Sequence, residues 1–131
     1  MIGYAMLGTN DPDRARAFYT PLIDLLGGRA LPRPSADTRI WFVGASGGAP
    51  VCIMQPWDGA PATVGNGGML AFTAKSYAQV GAVHAKALEL GGVDEGAPGF
   101  RGPEEDLFYG AYFRDPDGNK ICIYVIGPPE A

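Results

Sequence analysis

Tyr4 and Met6, Trp41, Cys52 and Met54, Met69, Tyr112, and Cys122 and Tyr124 sit in short apolar runs, and wherever two share a run they are two residues apart. Alternate side chains of an extended strand point to opposite faces, so each run aims these groups to one side. With Ala71 and Thr73 they would form an aromatic, sulfur-rich wall carrying a few hydroxyls, the lining expected of a pocket for a small apolar or aromatic molecule. Rings and phenols of this kind stack on a ligand or hydrogen-bond to it. Met and free Cys are also ordinary core fillers, and the same set would serve as a second hydrophobic core or a dimer interface.

The opposite parity is chemically different. Ala5, Leu7, Phe42, Val51 and Ile53, with Leu70, Phe72, Phe113, Ile121, Ile123 and Val125, are aliphatic and aromatic throughout, as befits a sheet face packed under helices. Both sets arise because one unit is written twice. Gly3-Tyr4-Ala5-Met6-Leu7, then Phe18-Tyr19, Leu22-Ile23 and Gly27, match Gly68-Met69-Leu70-Ala71-Phe72, then Val83-His84, Ala87-Leu88 and Gly92, at a constant offset. Trp41-Phe42 and Val51-Cys52-Ile53 match Tyr112-Phe113 and Ile121-Cys122-Ile123 at a slightly larger one. Self-similarity of this kind is a fold-level signal, and duplicated units place equivalent side chains around a shared cleft.

Each copy opens with a strand, over 2–9 in the first, followed by a helix. In Asn10-Asp11-Pro12-Asp13 an Asn or Asp cap ahead of Pro marks a helix start, and Ala15, Phe18, Tyr19, Leu22 and Leu26 recur along one face until Gly27-Gly28. Pro21 lies within that pattern and predicts a kink or a split. In the second copy Ser76 caps a helix bearing Val80, Val83, His84, Ala87 and Leu88, closed by Gly91-Gly92. Further strands are expected over 39–43, 51–55, 111–114 and 120–126, with short ones at 29–31 and 93–95. The turn Asp115-Pro116-Asp117-Gly118-Asn119 has hairpin chemistry. Residues 57–66 link the copies, and 96–107, rich in Gly, Pro and acids, read as a loop at the mouth of a pocket. The expectation is a single α+β domain over 1–131, built of modules at about 1–57 and 66–126.

Composition bounds the partners. The apolar content of 47% suits a folded globule. A net charge of −4 and a pI near 4.8 would repel a phosphate backbone or an anionic membrane, so nucleic acid and membrane are not expected partners. The amino terminus carries neither a basic run nor a long apolar segment, and no apolar stretch approaches the roughly 20 residues that span a bilayer; the chain reads as cytoplasmic. Two cysteines in a reducing compartment default to free thiols.

The order strand, helix, three strands, twice over, resembles the vicinal oxygen chelate superfamily, which includes glyoxalase I, bleomycin- and fosfomycin-resistance proteins and extradiol dioxygenases. The resemblance is carried by Leu7-Gly8-Thr9-Asn10-Asp11 with Arg14-Ala15-Arg16-Ala17-Phe18-Tyr19, by Asp58-Gly59, Pro61-Ala62-Thr63 and Gly65-Asn66-Gly67, and by Tyr109-Gly110-Ala111-Tyr112 with Arg114-Asp115-Pro116-Asp117-Gly118-Asn119-Lys120-Ile121. It implies two βαβββ modules whose curved mixed sheets enclose a cleft, and a homodimer formed by pairing of exposed sheet surfaces. Metal-using members supply a His from the first strand and a carboxylate from the last strand of each copy; carried over, these positions hold Tyr4, Met69, Cys52 and Cys122. Hard divalent ions want oxygen and imidazole donors, so no metal and no other cofactor is expected. The leading functional expectation is metal-independent binding of a small apolar or aromatic molecule. The alternatives are a lyase or dioxygenase with an unconventional soft-metal or thiol site, since thiolates favour zinc and cuprous ions, and a non-catalytic interaction module. A Cys52–Cys122 disulfide would need α carbons within roughly 7 Å.

Other residues read more plainly. His84, the lone histidine, is expected to be a satisfied core or interface residue. Glu104, Glu105 and Asp106 read as a solvated loop, and Arg39 and Arg101 as surface residues able to meet an anionic group. Gly65, Gly67 and Gly68 do not follow a strand and open a helix, so no nucleotide loop is predicted.

Overall fold

The computed structural model describes residues 1–34 and 36–127. The end of the expected 1–131 domain, residues 128–131, lies outside the described residues, and so does Ser35. Strand β1 (Ala5–Gly8) leads into helix α1 (Pro12–Leu25), then β2 (Arg29–Ala30), β3 (Ile40–Val43) and β4 (Val51–Met54). The second half repeats this as β5 (Leu70–Thr73), α2 (Tyr77–Glu89), β6 (Val93–Arg101), β7 (Phe108–Arg114) and β8 (Lys120–Ile126). The two sheets have equivalent strand orders, β1-β4-β3-β2 and β5-β8-β7-β6, with the first pair parallel and the rest antiparallel.

The helix starts are built as the sequence predicts. Asp11 and Ser76 accept from the backbone amides of Arg14 and Gln79, and Pro12 occupies the first turn, where no amide is needed. Both helices end on glycines in the left-handed region, Gly27 and Gly91. The matched closing glycines are therefore Gly27 and Gly91, then Gly28 and Gly92, rather than Gly27 and Gly92, because α2 is one residue shorter than α1. A Cβ on Gly28 would lie 2.6 Å from the Val43 carbonyl oxygen, and one on Gly92 would lie 2.8 Å from that of Ala87.

Two expectations are corrected. Pro21 does not split helix α1, which is one element from Pro12 to Leu25; the carbonyl deprived of its donor belongs to Ala17, an exposed position where water can replace the lost bond. Residues 96–101, read as part of a loop, belong to β6. The register of β6 against β7 shifts between Asp94 and Gly96 and again between Gly96 and Gly99. Such irregularities, on an edge strand, are where Pro98 and several glycines are tolerated. The remaining loop contains one turn of 3-10 helix at Glu104–Asp106.

One core serves both halves. Helix α1 lies against β2, β3 and β4, α2 lies against β6, β7 and β8, and the helices pack on each other. Phe18 of α1 meets Phe113 of β7 edge-on at 6.0 Å. The set expected beneath the helices is there: Phe42, Val51, Ile53, Phe113, Ile121 and Ile123 are buried, with Leu7, Leu70, Phe72 and Val125 packed around them. His84 is buried and bonded to Asp94 at 3.0 Å, a satisfied core histidine.

A polar clasp joins the halves. Asp115, 3% exposed, accepts from Tyr19 Oη at 2.5 Å, from Asn119 Nδ2 at 2.8 Å, and from the amides of Asp117 and Asn119. Asp117 accepts from Thr9 Oγ1, from the Asn10 amide and from Arg14 Nη2, and Asn119 Nδ2 also donates to the Gly8 carbonyl. The turn between β7 and β8 thus grips the end of β1 and the start of α1. Burial first, and then the Asp115 carboxylate, push the Tyr19 phenol well above its usual range.

Candidate functional site

Strand register gathers the sequence-selected residues into two equivalent rows. In the first sheet Cys52 of β4 lies between Met6 of β1 and Trp41 of β3; in the second Cys122 of β8 lies between Ala71 of β5 and Tyr112 of β7. Each row occupies the face opposite its helix. Tyr4 meets Trp41 edge-on at 5.1 Å, while Tyr124 stacks on Phe108 at 5.1 Å with the planes only 6° apart. Gly110, two residues from Phe108 on β7 and in register with Tyr124 of β8, leaves room for that stack: a Cβ there would lie 2.8 Å from the Phe108 ring.

The residues fall into two groups, not one. Tyr4, Met6, Trp41, Cys52 and Met54 belong to the first wall; Met69, Tyr112, Cys122 and Tyr124 belong to the second. Since the helix-facing sides of both sheets feed a single core, both walls look away from it. Tyr4, Met6 and Met69 are 62%, 48% and 49% exposed. Arg101 was not selected from the sequence as a wall residue because 96–107 reads as loop, and Phe108 was not because the strand that carries it was expected to begin at 111. The even spacing back from Tyr112 through Gly110 would have found Phe108.

Cations border both walls. The Arg33 guanidinium lies 5.8 Å from the centre of the Trp41 ring, and Arg101 and Lys120 each lie 5.6 Å from that of Tyr112. Arg39 binds Asp37 through Nε and Nη2, which holds that carboxyl down to about 2. The Trp41 indole N–H is buried without an acceptor among the described residues. A buried donor in that state is uncommon and suits a position that an oxygen atom of a ligand could fill.

The thiols are free, and both are 1% exposed. Burial pushes each thiol up, with Arg39 pulling back on Cys52 and the Tyr112 hydroxyl on Cys122. Neutral thiols in separate sheets, an exposed thioether and an exposed phenol are a poor donor set for a hard divalent ion. Among the described residues no three His, Cys, Asp or Glu side chains are grouped to hold a metal. Ellman's reagent at pH 7.5 should therefore label neither cysteine in the native protein and both after unfolding in guanidinium; fast native labelling would contradict the burial described.

A hollow of about 480 Å³ on the second wall is lined by Arg101, Gly102, Asp106, Phe108, Tyr112 and Ile126. Another, of about 300 Å³, lies between the Gly44–Gly48 loop and β5, where Phe42 and Phe72 of the core and Ala71 and Thr73 of the second wall's edge strand line it.

The family model described as Glyoxalase/Bleomycin resistance protein/Dioxygenase superfamily matches residues 1–123. The chain belongs to this superfamily. Among solved structures, a glyoxalase/bleomycin resistance protein from Albidiferax ferrireducens T118 is 38% identical, covers 95% of this chain and 97% of its own, and superposes with a TM-score of 0.81. A putative glyoxalase from Bacillus halodurans (20% identity, 95% and 94% covered, TM-score 0.72) and TioX from Micromonospora sp. ML1 (19%, 95% and 98%, 0.61) share the fold. No curated protein matches the chain. The superfamily's fold, two four-stranded mixed sheets with two helices, is the α+β architecture expected from the repeat. No helix among the described residues is long and apolar enough to cross a membrane.

Proposed function

We propose that this member of the superfamily binds a small, mainly apolar or aromatic molecule, without a metal, in a cleft formed when the wall of one copy faces the wall of a second. The observation that carries this reading is the exposure of Tyr4, Met6 and Met69 beside ordered rows of rings and thiols, on faces the core does not use. A soluble protein seldom leaves such a patch open unless something covers it. β1 and β5 are also edge strands with one partner each, and unpaired edges flanked by apolar side chains call for a cover. Equivalent patches on the two halves suit a twofold pair of identical chains. The unpartnered Trp41 N–H gives the ligand a polar foothold in the apolar wall.

Trp57 is 91% exposed, so a Trp57→Phe background leaves Trp41 as the sole reporter in the cleft. In that background, titration with indole, quinoline and naphthalene derivatives should quench or shift Trp41 emission, while sedimentation equilibrium should give a dimer that Met69→Glu converts to monomer. A Trp41 signal unmoved across the whole panel would overturn the binding reading. A monomeric wild-type protein would overturn the two-copy cleft.

A further inference from the structure

Of the charged groups around the walls, Arg33, Arg39 and Lys120 are already compensated. The two arginines share Asp37, at 3.6 and 2.9 Å, and Lys120 reaches Glu95 at 3.6 Å. Arg101 differs. Among the described residues no carboxylate lies within 4.0 Å of it; its Nη1 and Nη2 donate instead to the backbone carbonyls of Phe100 and Ala97, at 3.2 and 2.6 Å. Carbonyl dipoles fix the fork without cancelling its charge, and two of the five N–H groups are used, which leaves three free.

The surroundings accommodate that fork closely. A Cβ on Gly96 would lie 3.2 Å from Arg101 Nη2, and one on Gly99 would lie 3.0 Å from Nη1. The irregular, glycine-bearing part of β6 is what lets the guanidinium fold back beside the Tyr112 ring. The half-buried Arg101 thus stands in a hollow whose other walls include Phe108, Tyr112 and Ile126. An uncompensated planar cation among rings matches one ligand feature well, a carboxylate attached to an apolar body, because the fork binds carboxylate oxygens in pairs. Asp106, exposed on the same rim, carries no ion-pair partner among the described residues and disfavours a doubly charged phosphate.

We propose that Arg101 anchors the carboxylate of the bound molecule, so that the ligand class is a monoanionic aromatic or aliphatic acid. This rests on the small-molecule reading above and narrows it.

The test is isothermal titration calorimetry on the full chain with matched acids and amides, 2-naphthoate against 2-naphthamide and phenylacetate against phenylacetamide. Wild-type protein should prefer each acid by about tenfold, as expected for a hydrogen bond to a charged group. Arg101→Gln should erase the preference by lowering acid affinity to that of the matched amide, and Arg101→Lys should retain part of it, since charge persists without the fork. Acids and amides binding wild type equally, or a preference that survives Arg101→Gln, would overturn the assignment to Arg101 and leave the small-molecule reading intact. Failure of every acid and amide to bind would overturn both.

Discussion

Asp115→Ala is expected to lower unfolding stability by about 3–4 kcal/mol, from the loss of a buried acceptor that satisfies several donors at once. Oδ2 receives the Tyr19 hydroxyl and the Asn119 side-chain amide; Oδ1 receives the backbone amides of Asp117 and Asn119. Alanine would strand these donors in a place 3% exposed, where water cannot readily replace the carboxylate. Damage would spread beyond the turn, because Asn119 also holds the Gly8 carbonyl and Asp117 holds Thr9, Asn10 and Arg14. Asp115→Asn should cost less, since one oxygen remains for the two backbone amides. Urea denaturation of the three proteins checks the order wild type, Asn, Ala; an alanine variant within about 1 kcal/mol of wild type would show that the clasp is dispensable.

The clasp also marks where sequence reading stops. Asp115-Pro116-Asp117-Gly118-Asn119 is legible as a turn because its residue types fit local backbone geometry. That its acids grip Thr9 and Tyr19 is not legible, because those partners lie in the other copy of the repeat. Local signals carried much further elsewhere: the caps at Asp11 and Ser76 and the alternation that separates Phe42 and Ile53 from Trp41 and Cys52 are short-range patterns, and each appears in the fold as expected. The failures share a cause. Pro21 and Pro98 are better tolerated where the backbone groups they leave unpaired can reach water, and exposure of Ala17 and the edge position of β6 cannot be seen in a linear string. With the end of β6 taken for loop Arg101 lost its place on the wall, and with β7 expected only from 111 so did Phe108. The cysteine rows were legible from parity and repeat alone. Their division between two outward faces was not, because it depends on how α1 packs against α2.

Phe113→Ala should cost about 3–5 kcal/mol, the range for truncating a fully buried aromatic ring. Phe113 is 0% exposed, and its ring meets Phe18 of α1 at 6.0 Å and His84 of α2 at 6.5 Å. The cavity would therefore open where both helices converge on the second sheet, a place with packing demands from three elements and little freedom to collapse. Since one core serves both halves, the loss should appear in the whole molecule. In the Trp57→Phe background, Trp41 reports on the first sheet, and far-ultraviolet circular dichroism reports on both helices. The two probes should give coincident transitions in wild type and should shift together in Phe113→Ala. A Trp41 transition left in place while the circular dichroism transition moved would mean that the halves fold as separate units. Phe113 and Tyr112 are neighbours on one strand pointing to opposite faces, so the substitution removes core without removing any wall side chain. Weakened binding in this variant would then measure how far the cleft depends on the core to hold its walls in register.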